Sequence, residues 1–250
     1  MLSAYDQQGD DVIAWQVTKE QGPFFCPECR GRVVVKKGQV KIHHFAHIPP
    51  STCTYGTGES EEHWQSKYQI YEALHSHPHV TKLKVERYLK EVRPDISFCW
   101  MGKDYVAVEL QLSQIAPDEI ARKTRIYTAR KIAVLWITPY HSNASGLIPY
   151  RTRLWERYLH KLYFGKIYYW LAGEELVPVH FEPYSLGMAS KECYDESTQT
   201  FWWKEYEHFS PCLRNLQLGD TVHITEMKTI WRPFKRFGQF TLPKAKLWSL

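Results

Sequence analysis

Residues 92–111 read VRPDISFCWMGKDYVAVELQ, and this stretch decides the fold of the chain. Its apolar alternation predicts two β-strands, and Gly102 between them predicts a tight turn. With a period of two residues, Asp95 lies on the face of the first strand opposite to its large apolar residues. Glu109 and Gln111 lie in the same way on the second strand. The hairpin therefore carries one acid on each strand.

These two acids need a partner, because an ionised carboxylate beside an apolar core is costly to desolvate. Two acids that meet in a fold share a proton, bind a cation or pair with a basic residue. Of these outcomes, a hard divalent metal ion held by both carboxylates also provides chemistry. We therefore predict a Mg²⁺ or Mn²⁺ site between Asp95 and Glu109.

A second group of metal-ligating residues lies upstream of the hairpin. Cys26 and Cys29 form a Cys-x2-Cys turn, which lets two thiolates converge on one ion, as in zinc ribbons. His44, His47 and Cys53 follow a predicted strand pair. The predicted Zn²⁺ ligands are Cys26, Cys29, His47 and Cys53, with His44 as the substitute for His47, and the alternative is a small sheet without metal. Four protein ligands leave no position for water, so we expect a structural zinc.

A helix is predicted after this cluster, with Ser60 as its N-cap and an end before Pro78. On a helical wheel its buried stripe consists of Trp64, Tyr68 and Tyr71. His63, Lys67 and the preceding Glu59 lie beside that stripe, whereas Glu62 points to solvent. Glu59 and His63 are therefore either contributors to the acid site or parts of a capped, solvated helix edge.

The elements around the hairpin complete a mixed sheet. A strand over residues 80–89 brings Glu86 near Asp95, either as a third acid or as an exposed partner of Lys84 or Arg93. A basic helix begins at Pro117 and ends near residue 130. The apolar run at residues 131–137 predicts a strand that is buried on both faces.

At this point the residues resemble a known family. Pro94-Asp95 followed by Glu109-Leu110-Gln111 resembles the PD-(D/E)xK nuclease signature, with Gln111 where Lys is usual. Together with the Cys and His residues, this order of motifs is similar to the competence protein CoiA-like nuclease family over roughly residues 20–137. The resemblance implies an α/β (α+β) fold with a restriction-endonuclease-like mixed sheet and flanking helices. It also implies a zinc-ribbon-like β element at the N-terminus.

The same resemblance implies a function, namely metal-dependent hydrolysis of DNA phosphodiester bonds in competence, DNA processing or recombination. The implied catalytic residues are Asp95, Glu109, Gln111, Glu59 and His63. Gln111 has no positive charge and cannot take up a proton as Lys can, so a cation has to enter from elsewhere. The candidates for that cation and for contacts with DNA are Lys67, Arg122, Lys123 and Arg125.

Composition sets the wider limits. The 250-residue chain has a formal net charge of +5, which mildly favours nucleic acid as a partner, and 15% aromatic residues, which can stack on bases but more often pack in a core. We predict a zinc-binding element at residues 1–55, a nuclease core at 56–145 and an aromatic, basic region at 146–250, with the boundary in the polar stretch 141–148. No signal-peptide pattern and no apolar run of ~20 residues is seen, so we expect a cytoplasmic protein without membrane contact.

Two other functions fit the same sequence. The chain can be a non-catalytic, zinc-containing DNA-binding module with a degenerate nuclease core. It can also be an interaction protein that contacts a protein partner through its Trp-rich C-terminal region. Cleavage of DNA in the presence of a divalent ion separates these functions from a nuclease.

Overall fold

The computed structural model describes residues 1–141, 146 and 148–250. The residues of the polar stretch on which the predicted domain boundary falls, 142–145 and 147, lie outside the described residues. The fold is a mixed α+β structure, as predicted, with a small N-terminal sheet and a large mixed sheet that three helices accompany. None of the described helices has the length and apolarity needed to cross a membrane.

Five short strands form the N-terminal sheet: β1 (Ser3–Tyr5), β2 (Asp11–Ile13), β3 (Phe24–Phe25), β4 (Arg32–Lys36) and β5 (His44–His47). They pair antiparallel in the order β2-β1-β3-β4-β5. The alternation of β4 points Val33 and Val35 inward, where they pack with Phe24 and Phe45. This core is small, so a bound zinc ion would contribute substantially to its stability.

The large sheet has eleven strands. Its first half contains β6 (Val80–Val85), β7 (Ile96–Trp100), β8 (Asp104–Leu110) and β9 (Ala133–Pro139). Its second half contains β10 (Tyr150–Arg151), β11 (Ile167–Ala172), β12 (Glu175–Asp195), β13 (Thr200–Leu218), β14 (Val222–His223), β15 (Lys228–Arg232) and β18 (Ala245–Ser249). The helices are α1 (Glu61–His75), α2 (Pro117–Ala129) and α3 (Leu154–Leu162), and a separate hairpin joins β16 (Lys235–Phe237) to β17 (Phe240–Leu242).

Strand β9 lies at the centre of the large sheet, in the order β10-β13-β12-β11-β9-β8-β7-β6. Its residues 133–138 are all buried, as the continuous apolar run predicted. β9 is parallel to both β8 and β11, because α2 and α3 provide the crossover connections that parallel strands require. One sheet therefore continues from the strands of residues 80–139 into the C-terminal part of the chain.

The register of the first hairpin places the two acids opposite each other. Ile96 pairs with Val108, so Asp95 and Glu109 are the next residues across from one another. The turn is tight, and Gly102 adopts a φ of +71°, which an L side chain rarely does. A one-residue slip of either strand would move the acid of that strand to the opposite face of the sheet.

Helix α1 begins as predicted, since the Oγ of Ser60 accepts a hydrogen bond from the His63 backbone N–H (3.2 Å). Its buried stripe differs from the prediction. Trp64 and Tyr68 are only half-buried, and the buried residues are Ser66, Lys67, Ile70, Tyr71 and Leu74. The reason is tertiary: Trp64 stacks on His44 of the N-terminal sheet, at 4.5 Å between ring centroids, which leaves Lys67 to enter the interior.

Strands β12 and β13 are much longer than their neighbours and continue as a two-stranded ribbon over residues 184–209. The ribbon carries large apolar side chains that are exposed: Leu186, Met188, Tyr194, Phe201, Trp202, Trp203, Tyr206 and Phe209. Exposed aromatic side chains in such a group are typical of an interaction surface.

Candidate nuclease site and metal centre

The four predicted zinc ligands lie together. The ligand atoms of Cys26, Cys29, His47 and Cys53 are all within 4.8 Å of one another. Cys29 Sγ lies 3.4 Å from His47 Nε2, and Cys26 Sγ lies 4.0 Å from Cys53 Sγ. His44 is not part of this group, because its Nδ1 contacts the Ile42 carbonyl (3.0 Å) and its ring stacks on Trp64. The chain thus has a Cys3His cluster that is suited to zinc.

Backbone geometry explains why these ligands converge. A turn between β3 and β4 is closed by hydrogen bonds from Cys26 N–H to the Gly31 carbonyl (2.9 Å) and from Arg30 N–H to the Cys26 carbonyl (3.0 Å). His47 pairs with Val33 on the adjoining strand, which brings it beside this turn. Burial raises the pKa of the Cys26 thiol to about 12, and a divalent cation would offset the cost of ionising it there.

The predicted acids Asp95 and Glu109 line one cleft of about 460 Å³. The loop before α1, the end of β8 and one face of α2 form its walls, so the cleft lies where three elements of the nuclease-like half meet. Six of the residues predicted for the site line it: Glu59, His63, Asp95, Glu109, Gln111 and Lys123. The fold therefore brings together side chains that lie up to several dozen residues apart in the sequence.

Asp95 is held by a dense set of partners. Its Oδ2 accepts a hydrogen bond from the Leu110 backbone N–H (2.8 Å), and its Oδ1 lies 3.0 Å from Lys67 Nζ. His63 Nε2 lies 3.2 Å from the same Oδ1 and has no aligned hydrogen bond among the described residues. Burial alone would raise the pKa of Asp95, but Lys67 and then His63 outweigh burial and hold this pKa well below its usual range. Asp95 is therefore ionised.

Glu109 has a different environment. Its Oε2 lies 2.8 Å from Lys123 Nζ, and its Oε1 accepts a hydrogen bond from the Tyr127 hydroxyl. Burial raises the pKa of Glu109, and the nearby charge of Asp95 adds to this effect, while Lys123 opposes it. Two neighbouring carboxylates whose pKa values shift in opposite directions are typical of catalytic sites.

Beneath these acids lies a buried ion network centred on Lys67. The side chain of Lys67 is 0% exposed, and its Nζ lies 2.9 Å from Glu59 Oε2 and 2.9 Å from Glu86 Oε1. Burial would lower the pKa of Lys67, but Asp95, Glu86 and Glu59 together raise it. The ammonium of Lys67 thus pairs with three carboxylates in the interior.

The network also decides the position of Glu86. The Glu86 backbone N–H donates to the Asp95 carbonyl (3.0 Å), so the register places these two acids side by side. Its side chain is buried, and Arg93 Nη1 lies 3.6 Å from its Oε2. The expected partner Arg93 is present, but the exposed surface expected for the pair is not. The side chain of Arg93 also pairs with Glu59.

The remaining predicted residues lie at the rim. Gln111 donates from Nε2 to the Ser113 carbonyl (2.7 Å) at the edge of the cleft. Arg122 makes a two-point pair with Glu119, at 2.7 Å for both contacts. Arg125 is exposed on α2.

Tyr127 was not among the residues predicted for the site, and Arg93 was expected only as a partner of Glu86. Arg93 lies two residues before Asp95, so strand alternation already places both side chains on the same face. Tyr127 follows Lys123 by four residues on α2, and this helical spacing puts both on one face. Both spacings can be read from the sequence, but contacts between different elements decide whether these side chains belong to the site.

The zinc-binding element is connected to the acid network through Glu86. The Leu2 backbone N–H donates to Glu86 Oε2 (2.8 Å), and the Tyr55 hydroxyl donates to the Glu86 carbonyl (3.2 Å). The N-terminal sheet therefore supports the floor of the cleft directly.

Comparisons with known proteins agree with this arrangement. Residues 8–56 match the family described as competence protein CoiA, N-terminal domain, and residues 59–147 match competence protein CoiA, nuclease-like domain. The curated Competence protein CoiA of Bacillus subtilis (strain 168) is 34% identical over 120 residues, which cover 47% of this chain and 31% of that relative. No solved structure matches the chain. The two domain matches run in the same order and together cover more than half of the chain, which belongs to the competence protein CoiA-like family.

Proposed function

We propose that this chain is a metal-dependent nuclease that hydrolyses phosphodiester bonds in DNA. The nuclease-like domain supports this class of activity. The observation that carries the proposal is the cleft in which Asp95 and Glu109 lie together, each with a lysine ammonium within 3.0 Å. Participation in competence and DNA recombination follows from the same family relationship and belongs to this proposal.

The two carboxylates fit a hard divalent ion. A carboxylate offers about four lone-pair positions. Asp95 uses two of them, for Leu110 and Lys67, and Glu109 uses two, for Lys123 and Tyr127. Asp95 and Glu109 would hold Mg²⁺ or Mn²⁺ with the positions that remain. When bound, the ion lowers the pKa of a water molecule and offsets the charge that builds up on the phosphate.

Lys123 takes the role that the usual motif lysine has in this class. Its ammonium lies 2.8 Å from Glu109, and its side chain is 23% exposed, so it can reach a phosphate oxygen in the cleft. Lys67 is fully buried and keeps Asp95 ionised instead. Gln111 lies on the rim, where its amide can orient a water molecule or the substrate. Arg122 and Arg125 on α2 would contact neighbouring phosphates.

Cleavage of linear and supercoiled DNA with added Mg²⁺ or Mn²⁺ tests the proposal. We expect Asp95→Asn and Glu109→Gln each to reduce the rate at least about 100-fold, because each removes a charged metal ligand. The matched control is Glu119→Gln, which removes an exposed acid that pairs only with Arg122. Wild-type rates in both site variants would refute the proposal. A wild type that binds DNA without cleaving it would favour a non-catalytic binding module.

A rescue experiment tests the role of Lys123. Lys123→Gln removes the exposed cation of the cleft, and we expect the rate to fall about 10–100-fold. Adding Gln111→Lys to that variant restores the usual motif, so we expect part of the activity to return. Gln111→Lys alone is the control for a general effect of charge. A fall in rate with no rescue would assign the catalytic cation to another residue.

A protein partner at the C-terminal region is a second candidate function, which the ribbon favours. Phe201 and Trp203 at its tip are 67% and 65% exposed, and such side chains are common at the centre of interfaces. A photo-crosslinking amino acid at position 203 tests this function, with position 103 in the β7–β8 turn as the control. We expect a discrete crosslinked protein at position 203 only, and equal labelling at both positions would exclude a specific partner.

A further inference from the structure

Helix α3 and the β16–β17 hairpin enclose a second cleft, of about 420 Å³. Its volume lies within the ~300–1,000 Å³ range of small-molecule sites. Three cationic and three aromatic side chains line it: Arg157, Lys161, Arg214, Phe181, Phe237 and Phe240. The cleft shares no lining residue with the acid site.

Among the described residues, the cations of this cleft have no acidic partner. Arg157 donates to the Pro211 carbonyl (3.1 Å), and Arg214 donates to the Ser210 carbonyl (2.7 Å). Among the residues that the structure describes, no carboxylate lies within 4.0 Å of Arg157, Lys161 or Arg214. Arg157 Nε is buried and has no hydrogen-bond partner there either. The positive charge of the cleft is thus held only by neutral backbone groups.

More positive charge surrounds Phe237 in the wall of the cleft. Lys161 Nζ lies 5.7 Å, Lys235 Nζ 4.6 Å and Arg232 Cζ 5.7 Å from the centroid of its ring. Arg232 is only 3% exposed, and neither its Nε nor its Nη1 has a hydrogen-bond partner among the described residues. A buried cation without a counter-charge is costly, so this arrangement favours an anionic ligand.

The neighbouring His160 adds no positive charge to the cleft. Burial and the nearby His180 lower the pKa of His160 to about 3, so His160 stays neutral. Its Nε2 accepts a hydrogen bond from the Phe181 backbone N–H (3.0 Å), and its ring stacks on Phe181 at 4.7 Å between centroids. The pKa of Arg214 is also lowered, first by burial and then by the nearby charge of Arg157.

We propose that this cleft binds the phosphate group of a nucleotide unit, with Arg157, Lys161 and Arg214 on the phosphate oxygens and the partly exposed rings of Phe237 and Phe240 against the base. Guanidinium groups match phosphate oxygens in geometry, and flat aromatic rings stack on bases of any sequence. The phosphate can belong to a single-stranded nucleic acid or to a free nucleotide. The inference goes beyond the proposed nuclease function, because it involves other residues and requires no catalysis by Asp95 and Glu109.

Binding measurements without added divalent ions separate this inference from the nuclease proposal. A fluorescent oligo-dT is titrated with the protein, and dTMP and inorganic phosphate are used as competitors. We expect Arg157→Gln/Arg214→Gln to weaken oligo-dT binding at least about 10-fold. The slope of the logarithm of the binding constant against the logarithm of the salt concentration should become smaller by about 0.7 for each phosphate that the variant no longer neutralises. The matched control, Lys103→Gln/Lys228→Gln, removes two exposed positive charges outside the cleft and should change binding less than about 2-fold.

The competitors distinguish the two sources of phosphate. Weak competition by dTMP assigns the cleft to a nucleic-acid strand, whereas competition at an affinity similar to that of oligo-dT assigns it to a free nucleotide. Either strength of competition supports the proposal if it is lost in Arg157→Gln/Arg214→Gln. Equal binding of all three ligands by the cleft variant and the control variant would overturn it.

Thermal unfolding provides a second measurement that does not depend on DNA. A ligand that binds only the folded state raises Tm, so inorganic phosphate should raise Tm of the wild type and of Lys103→Gln/Lys228→Gln but not of the cleft variant. Chloride at the same ionic strength is the control for screening. Because Lys161 is exposed, Lys161→Gln provides a second cleft variant whose folding is secure. An identical phosphate response in wild type and both cleft variants would overturn the proposal.

Discussion

The acid cleft and the basic cleft of this molecule treat buried charge in opposite ways. In the acid cleft and the network below it, Glu59, Glu86, Asp95 and Glu109 each have a lysine ammonium within 3.0 Å. In the basic cleft, Arg157, Lys161 and Arg214 have no carboxylate within 4.0 Å among the described residues. In the first region the protein's own cations balance most of the carboxylate charge, and Asp95 and Glu109 keep positions for a metal ion, whereas the second cleft needs a negative charge from outside.

This difference separates buried charges that the fold itself pairs from charges that are open to an anionic ligand. Breaking a buried ion pair leaves an uncompensated charge. Any change in the geometry of the acid network therefore carries a high energetic penalty. Removing one of several mutually repelling cations has no such penalty. Stability measurements should therefore separate the two clefts before any activity is known.

Removal of zinc should have the largest effect, and it should reach only the acid cleft. We expect one tightly bound zinc ion per chain, lost in Cys26→Ser together with partial unfolding of the N-terminal sheet. Because Leu2 and Tyr55 hydrogen-bond to Glu86, the acid network should loosen, while phosphate binding at the basic cleft persists. Metal analysis and hydrogen exchange measure this, with Cys193→Ser on the ribbon as the control. A metal-free wild type that is fully folded would contradict the expectation.

Lys67→Met should have the next largest effect. It leaves Glu59, Glu86 and Asp95 without their shared cation, and we expect the free energy of unfolding to fall by about 3–5 kcal/mol. Urea unfolding measures the change. The matched control is Lys84→Met, which removes a partly exposed ion pair with Asp11 and should cost at most about 1 kcal/mol. Similar losses in both variants would show that burial does not distinguish these pairs.

Acidification should have the third-largest effect, because it weakens the acid network. The pKa values of Glu86 and Asp95 are lowered in the fold, since burial is outweighed at both residues by Lys67. The stability that they contribute is therefore fully present above their ordinary pKa values of about 4 and is lost as the pH falls below them. We expect the free energy of unfolding to drop steeply below about pH 4. The slope should be smaller in Glu86→Gln, and an unchanged slope in this variant would contradict the assignment.

The smallest effect is expected for Arg214→Gln in the basic cleft. Its guanidinium contacts only carbonyl groups and is repelled by Arg157, so its removal relieves repulsion while losing weak hydrogen bonds. The free energy of unfolding should change by less than about 0.5 kcal/mol. Urea unfolding in phosphate-free buffer measures it beside Lys67→Met. A loss above about 2 kcal/mol would mean that Arg214 is a structural residue and that the contrast between the clefts is smaller than proposed.

Local sequence patterns determined a large part of this protein. The alternation around Gly102 specifies the hairpin, the Pro117 start specifies α2, and the spacing of Cys26 and Cys29 specifies a metal-ligating turn. These features are encoded within single elements or short turns, where periodicity and turn chemistry decide the outcome. The proximity of Asp95 and Glu109 follows from the same hairpin, because its short turn and the apolar face of its strands fix the register.

Tertiary structure alone decided which charges meet. The sequence could not choose between His44 and His47, and packing of His44 on Trp64 settled it. Lys67 and Lys123 are both lysines on helices, yet packing buries the first in a carboxylate network and leaves the second partly exposed beside Glu109. The basic cleft joins α3, β13 and a distant hairpin, whose side chains share no periodicity. The physical reason is that a charge is stabilised by whichever group packing brings within a few ångströms, and that distance is a property of the whole fold.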